Sequence, residues 1–239
     1  MAPFKLSEYH VPAPLPMLRF AVVADLHNRD GEAVADAILL AGVDAVLVVG
    51  DLFEAPPRKR RLAWEEAKKF LYKLRRLPVF YSRGNHDYTL TDEIRAFLDE
   101  NKITLLDDTY VLFRGLMLGG LCSAQYKKGK KPNTAFLEEF AKEGEFKVLL
   151  CHHPEYYRKH IRHLPIHLTI AGHAHGGQWR IGRQGLFSPG QGPLPRYTGG
   201  LYDGRRLLVS RGLKISRPIP RIGNPRELML LSVGDVYEK

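Results

Sequence analysis

Short apolar runs that each break off at an aspartate, an asparagine or a histidine constrain this chain more than any other feature. Residues 18–24 read LRFAVVA and stop at Asp25, and residues 45–49 read AVLVV and stop at Gly50-Asp51. Residues 79–82 (VFYS) are closed by Gly84-Asn85-His86-Asp87, residues 147–151 end at His152, and residues 168–171 run into His173 and His175. A strand covered on both faces is apolar throughout, so its first polar side chain can appear only where the strand ends. In open α/β sheets the crevice outside those carboxyl ends is where ligands bind. The pattern therefore predicts buried strands that bring ligand-type residues to one rim.

Between these runs lie helical patterns. Residues 32–41 repeat apolar residues at helical spacing, and residues 61–74 place Trp64, Ala67, Phe70, Leu71 and Leu74 on one face. Residues 92–101 form a third helix, started by Thr91 or Asp92 as cap, and a fourth is expected near 135–142. Residues 103–123 have no helical period and carry Gly115, Gly119 and Gly120, which predicts short strands in hairpins. Glycine and proline recur through 176–225 around pieces such as 207–210, and a last strand is expected at 228–233. An early βαβ rhythm followed by hairpins gives an α/β fold of two packed mixed β-sheets flanked by helices. With 239 residues and 44% hydrophobic content the chain suffices for one sizeable core. The expected organisation is one domain over 18–239, preceded by an N-terminal extension over 1–17 that mixes charges, prolines and isolated apolar residues.

Charge narrows the partners. Thirty-six Lys and Arg against 26 Asp and Glu give a net +10, which favours a nucleic acid, a phosphorylated metabolite or an anionic membrane surface, although scattered cations also serve solubility. The basic runs 58–61 and 127–131 read as solvated loops or helix starts. Arg180, Arg183, Arg196, Arg211, Arg217 and Arg221 lie among the glycines of the tail, where guanidinium groups would suit a second phosphate or a diphosphate. Cys122 and Cys151 sit in apolar runs without a CxxC spacing and read as buried thiols in a reducing compartment. No apolar stretch approaches the roughly 18 residues of a membrane span, so a cytoplasmic location is expected.

Asp25 with His27, Asp51, Asn85 with His86, His152, and His173 with His175 are all metal-competent. Carboxylate, amide and imidazole together suit Mn²⁺, Fe²⁺, Co²⁺ or Zn²⁺ rather than a cation that prefers oxygen alone. In the Asp-x-His and His-x-His spacings, residues two apart project to the same side of an extended segment. The set is too large for one tetrahedral ion. Two ions sharing a bridging carboxylate, for which Asp51 is the natural choice, would use it, and a pair about 3.5–4 Å apart clamps a phosphoryl group. Singly, such an Asp or His is more often a cap or turn former, and His153, His160, His163 and His167 read as surface or core residues.

In order, Asp25-Leu26-His27, Gly50-Asp51, Gly84-Asn85-His86-Asp87, Cys151-His152-His153-Pro154 and Gly172-His173-Ala174-His175 resemble the motifs of the calcineurin-like metallophosphoesterases. The resemblance implies a four-layer sandwich and a hydroxide bridging two metals as nucleophile. It places one ion on Asp25, His27, Asp51 and His175, and the other on Asp51, Asn85, His152 and His173. His86 would be the acid, oriented by Asp87, and His152 rather than His153 the ligand because it stands two residues before the proline. Mn²⁺ is the first expectation for both ions, with Fe, Zn, Co or Ni as alternatives. Gly176-Gly177-Gln178, the segments 197–202 and 209–213, and Pro225-Arg226-Glu227-Leu228 are similar to a bacterial subgroup that contains membrane-associated phosphodiesterases and UDP-2,3-diacylglucosamine pyrophosphatase-like enzymes. That resemblance implies a phosphodiester or diphosphate in a phosphorylated small molecule or lipid-linked substrate, with peripheral contact to an anionic membrane. The rival readings are a nuclease-type enzyme acting on nucleic acid and a non-catalytic scaffold. The chain departs from the pattern in carrying Ala24 where a small hydroxyl residue is usual, and residues 1–17 are expected to serve as neither the N-terminal anchor nor the export signal of many relatives.

Overall fold

Period-two alternation divides the central strands between separate cores. In the computed structural model, which describes residues 4–27, 30–53, 60–87, 90–123, 131–214 and 219–235, the chain forms β1 (Lys5–Pro16), β2 (Leu18–Val23), β3 (Ala45–Val49), β4 (Val79–Ser82) and β5 (Ile103–Leu105). It continues through β6 (Thr109–Phe113), β7 (Leu116–Leu121), β8 (Phe146–Cys151) and β9 (Leu168–Ala171). Two small hairpins follow, β10–β11 (Arg180–Ile181 with Gln184–Gly185) and β12–β13 (Phe187–Ser188 with Gly192–Pro193). The last strands are β14 (Gly200–Tyr202), β15 (Leu207–Val209) and β16 (Glu227–Asp235).

Two six-stranded sheets result, ordered β1-β16-β2-β3-β4-β5 and β14-β15-β9-β8-β7-β6. Both are mixed: β2 to β5 run parallel with β16 antiparallel beside them, and β7, β8, β9 and β15 run parallel between antiparallel edge strands. Phe20 and Val22, Leu47 and Val49, Val148 and Leu150, and Leu168 and Ile170 face the core between the sheets. Their neighbours Ala21, Val23, Val46 and Val48 face outward onto the helices α1 (Gly31–Ala41), α2 (Arg60–Lys73) and α3 (Asp92–Glu100). On the far side, Leu149, Cys151 and Ala171 pack under α4 (Thr134–Phe140) and a π-helical turn at Tyr157–Ile161. This is the expected four-layer sandwich. Each fully buried Val, Leu, Ile or Phe contributes about 1.5–3 kcal/mol of transfer free energy.

Local signals explain the helix ends. Thr91 Oγ1 accepts the Ile94 amide at 3.3 Å at the start of α3, and Asn133 Oδ1 accepts the Phe136 amide at 3.1 Å at the start of α4. Trp64, Ala67, Phe70, Leu71 and Leu74 are all buried, as the helical spacing required. Cys122 and Cys151 form no disulfide.

Two segments differ from the sequence reading. Most of 1–17, set apart as an extension, is the edge strand β1, paired in parallel with β16 from Lys5 beside Glu227 to Val11 beside Val233. Val11, Ala13 and Leu15 enter the inter-sheet core while Pro12, Pro14 and Pro16 face out. Proline is tolerated there because an edge strand need donate no hydrogen bond on its open side. Within 103–123, β6 and β7 form the hairpin, but β5 belongs to the other sheet.

Glu227 ties this edge together. Fully buried, it accepts hydrogen bonds from Tyr9 Oη at 3.1 Å, from Arg211 N at 3.0 Å and from Arg211 Nη2 at 2.6 Å. Burial opposes its charge, but the hydrogen bond and charge of Arg211 outweigh burial and hold the carboxyl below its ordinary range. A carboxylate with a depressed pKa adds stability above its unfolded value, about 4.3, and loses it as pH falls through the folded value. We expect Glu227→Gln to lower unfolding stability by about 3 kcal/mol at pH 7. In urea titrations the gap to wild type should close progressively below about pH 4. A gap independent of pH would show that the ionised carboxylate is not the stabilising species.

Candidate metal centre

The chain leaves its strands in a conformation that L-residues normally avoid. Asp25 (φ 53°), His27 (φ 49°), Asp51 (φ 52°), His173 (φ 62°) and His175 (φ 46°) all have left-handed backbone. Each such residue costs about 1–3 kcal/mol, and clusters of them mark functional sites. Main-chain bonds hold the turns: Asp25 N donates to Gly50 O at 3.1 Å, His27 N to Asp51 O at 3.2 Å, and Gly172 N to His152 O at 3.1 Å. His173 N also donates to both Asp25 carboxylate oxygens, at 3.2 and 3.1 Å. Gly50 is needed for close approach, since a Cβ there would lie 2.5 Å from His152 Nδ1. At Gly172 a Cβ would sit 2.9 Å from that of Ala24 and 3.0 Å from Asp25 Oδ2, so the two sheet ends approach too closely there for a side chain.

These turns gather the predicted residues. The ligand atoms of Asp25, His27 and His175 lie within 4.8 Å of one another, and so do those of Asp51, His152 and His173. Asp51 stands between the two groups, with Oδ2 at 3.5 Å from His27 Nε2 and 3.3 Å from His152 Nε2. Its Oδ1 accepts the His86 amide at 2.8 Å. His152 Nδ1 lies 2.8 Å from the Val49 carbonyl, which acts as acceptor for Nδ1–H and leaves the Nε2 lone pair for the cluster.

The donor set fits divalent cations. Asp51 Oδ2, Asn85 Oδ1, His152 Nε2, His173 Nδ1 and His175 Nδ1 are buried and make no hydrogen bond. An unsatisfied buried polar atom costs about 1–3 kcal/mol and is rare in native proteins unless a bound group completes it. Burial pushes His175 down to about 3 and, with its histidine neighbours, His173 well below its usual range, so both rings offer lone pairs at neutral pH. Burial also opposes charge on His152, yet Asp51 lifts it to about 10. Asp51, although buried, is held well below the carboxylate range by His152 and His27. The negative field that favours a proton there also favours a divalent cation.

His86 differs from the buried set. Its side chain is 36% exposed, its ring stands edge-on to His27 at 5.1 Å, and Nε2 is 3.9 Å from Asp51 Oδ2. The Asp87 carboxylate binds main chain, accepting Leu52 N at 3.3 Å, Phe53 N at 3.2 Å and Gly84 N at 2.9 Å. Burial and the nearby Asp51 charge raise its pKa to about 6. It thus fastens the turn carrying Asn85 and His86 to the loop after Asp51.

His153, read as a surface or core residue, is buried within the cluster. Its Nδ1 is 3.0 Å from Glu155 Oε1 and its ring 4.1 Å from that of His173, so His153, Glu155 and His173 form a third tight group. No motif singles out Glu155, because its only mark is its place after Pro154. His160 packs edge-on to Tyr156, and His167 accepts the Lys147 amide, both away from the cluster. Of the tail arginines, Arg221 is almost enclosed, with Nη1 donating to Arg211 O at 2.7 Å, whereas Arg196 is exposed over the Tyr197 ring. Arg217, Arg58, Lys59 and residues 127–130 lie outside the described residues.

Two mixed sheets with carboxylate, amide and imidazole ligands at their strand ends define a metal-dependent phosphatase-like protein. Residues 18–177, more than half of the chain, match the calcineurin-like phosphoesterase family, and the chain belongs to it. It is 23% identical over 231 residues to the uncharacterized protein YpbG of Bacillus subtilis, covering 91% of this chain and 82% of that one. It is 26% identical over 224 residues to the uncharacterized metallophosphoesterase Cj0846 of Campylobacter jejuni, covering 87% of this chain but 55% of that longer one. The 5′-nucleotidase precursor of Thermus thermophilus shares the fold with a TM-score of 0.52 at 13% identity, over 90% of this chain and 55% of that one.

Metal content tests this geometry. After reconstitution with Mn²⁺ and desalting, we expect two ions per wild-type chain by mass spectrometry of the metal. Asp51→Asn should retain fewer than one, and so should Gly50→Ala, whose new methyl would force His152 off the Val49 carbonyl. His86→Ala should keep both. Two ions retained by Asp51→Asn would remove Asp51 from its shared position.

Proposed function

We propose that the protein hydrolyses a phosphodiester or diphosphate at a dinuclear centre, with His86 as the acid. Asp25, His27, Asp51 and His175 would hold one divalent ion and Asp51, Asn85, His152 and His173 the other, with Mn²⁺ the favoured metal. The observation that carries the reading is the Asp51 carboxylate, whose Oδ2 faces imidazoles of both groups at 3.5 and 3.3 Å. Two ions there would draw charge from the phosphoryl oxygens and make water a competent nucleophile at neutral pH.

The chain's own residues supply position and a proton. Half-exposed at the mouth, His86 is the imidazole able to meet a leaving oxygen while the buried rings face inward. Its main-chain bond to Asp51 Oδ1 links the acid to the shared carboxylate, and Asp87 fixes the turn that carries it. An alkoxide leaving from a phosphate ester needs a proton more than a better leaving group does, so a positioned acid suits ester cleavage. A scaffold role is disfavoured because Asp25, His27, Asp51, Asn85, His86, His152, His173 and His175 are all retained.

We also assign the chain to the bacterial subgroup of membrane-associated phosphodiesterases and UDP-2,3-diacylglucosamine pyrophosphatase-like enzymes, with a lipid-linked or other phosphorylated small-molecule substrate met at an anionic membrane surface. Supporting this, Trp179, Ile181, Phe187, Leu194, Ile219 and Ile222 are all exposed in the segment that follows His175. The only acids from 176 to 227 are Asp203, paired with Arg162, and Glu227, buried against Arg211. Exposed apolar side chains in a segment rich in cations and poor in acids suit an anionic interface. Among the described residues no helix is long and apolar enough to cross a membrane.

Two measurements check these readings. Metal-loaded protein should cleave bis-p-nitrophenyl phosphate in preference to p-nitrophenyl phosphate, and His86→Ala should lower kcat by about 10²–10⁴-fold. Unchanged kcat would exclude His86 as the acid. In sedimentation with vesicles, Ile181→Asp/Leu194→Asp should reduce binding to anionic lipid about tenfold without altering diester cleavage. Equal sedimentation with neutral and anionic vesicles would dismiss the charged interface.

A further inference from the structure

A separate cavity of about 670 Å³ opens on the same end of the sandwich, between the edge strands β1 and β14. Sheet register fixes its place. Lys5 lies beside Glu227 at the start of β16, and two residues on Met229 lies beside Val22, at the end of β2 that leads to Asp25. On the other wall, Gly200 pairs with Val209 at the carboxyl end of β15. Three residues later Gly212 is so close to the centre that a Cβ there would lie 2.5 Å from Asp25 Oδ2. Arg180, on the cavity wall, donates from Nη1 to Gly176 O at 2.9 Å, the carbonyl next after His175.

The lining carries unbalanced positive charge. Arg211 is neutralised by Glu227 at 2.6 Å. Arg180 is held only by neutral acceptors, Gly176 O and Thr198 Oγ1 at 2.9 Å from Nη1 and Arg183 O at 2.5 Å from Nη2. No carboxylate among the described residues pairs with it. Gly199 lets the two arginines pack together, since a Cβ there would fall 2.7 Å from Arg211 Cγ and 3.5 Å from Arg180 Nη1. Lys5 and Arg183 are exposed at the mouth, Ser7 adds a hydroxyl, and Glu8 is the one exposed acid. Two arginines packed around Gly199, one of them partly buried and in no ion pair among the described residues, favour an anion with several acceptor oxygens.

We propose that this cavity is a second anion site that takes a phosphate group distinct from the one at the metal centre. The phosphate comes either from the far end of the substrate, a case that rests on the phosphoesterase reading, or from free inorganic phosphate acting on the enzyme.

Matched substrates separate the sources. Metal-loaded wild type and Lys5→Ala/Arg183→Ala would be compared on thymidine 5′-(p-nitrophenyl phosphate) and on the same compound carrying a 3′-phosphate. If the substrate supplies the group, the 3′-phosphate lowers the wild-type KM about tenfold and the double variant loses that advantage, with kcat and KM for the simpler compound unchanged. If free phosphate is the ligand, the 3′-phosphate gives no advantage. Added inorganic phosphate then alters the kinetics of the simpler compound in wild type, and the double variant lacks that response. Identical behaviour of wild type and variant in both arms overturns the site. Should wild type cleave neither compound, the phosphoesterase reading fails on its own, and calorimetric titration with pyrophosphate decides the cavity. Binding weakened about tenfold in the double variant would sustain it, and equal binding would overturn it.

Discussion

Packing of the two inner sheet faces sets the distance across which Asp25 and Asp51 of one sheet meet His152, His173 and His175 of the other. Phe20, Val22, Leu47 and Val49 interlock with Val148, Leu150, Leu168 and Ile170, and the buried Ser82 hydroxyl crosses between the sheets to donate toward the Leu121 and Leu150 carbonyls at 3.4 Å. Five L-residues in left-handed backbone, together with several buried donor atoms lacking hydrogen bonds, would be untenable at the end of a loose sheet. At about 1–3 kcal/mol each, those strained residues are supported by a core in which every buried aliphatic side chain contributes a similar amount.

The rim divides its tasks by burial. Ligand-type side chains are enclosed, so their charges and lone pairs act on one another through a medium of low polarisability and attract cations strongly. His86 stays partly exposed, in reach of solvent where the other imidazoles of the rim are enclosed. Asp87 and Glu227 perform related mechanical work, each using a buried carboxylate to fasten a loop near the site. Beyond them the surface changes to exposed apolar and cationic residues.

Much of this was legible beforehand, for different reasons in different places. The strands β2, β3, β4, β8 and β9 announce themselves because burial on both faces demands unbroken apolar runs. Motif order placed Asp25, His27, Asp51, Asn85, His152, His173 and His175 together on paper, and the structure brings their side chains to one rim. The strand β1 was illegible since Val11, Ala13 and Leu15 alternate with prolines that usually break strands, and only the open side of an edge makes them acceptable. For β5, local pattern could give a strand but not its sheet, because that choice depends on which neighbour has an unpaired edge. Glu155 lacked any signal and His153 stood in the motif only as the neighbour of His152, because their part in the cluster arises from a contact with His173 on the next strand end.

By itself, then, the sequence determined the alternation of strand and helix, the two-sheet class and the identity of the metal-competent residues, all of which follow from local periodicity and short spacings. Only the tertiary structure decided how closely Asp51 approaches the imidazoles of both ligand groups, that Asp87 grips main chain, and that a cationic cavity opens between two edge strands. Those outcomes depend on distances between segments far apart in the chain. Such distances are set by how two cores pack against a shared interface, a collective property that no local stretch of residues encodes.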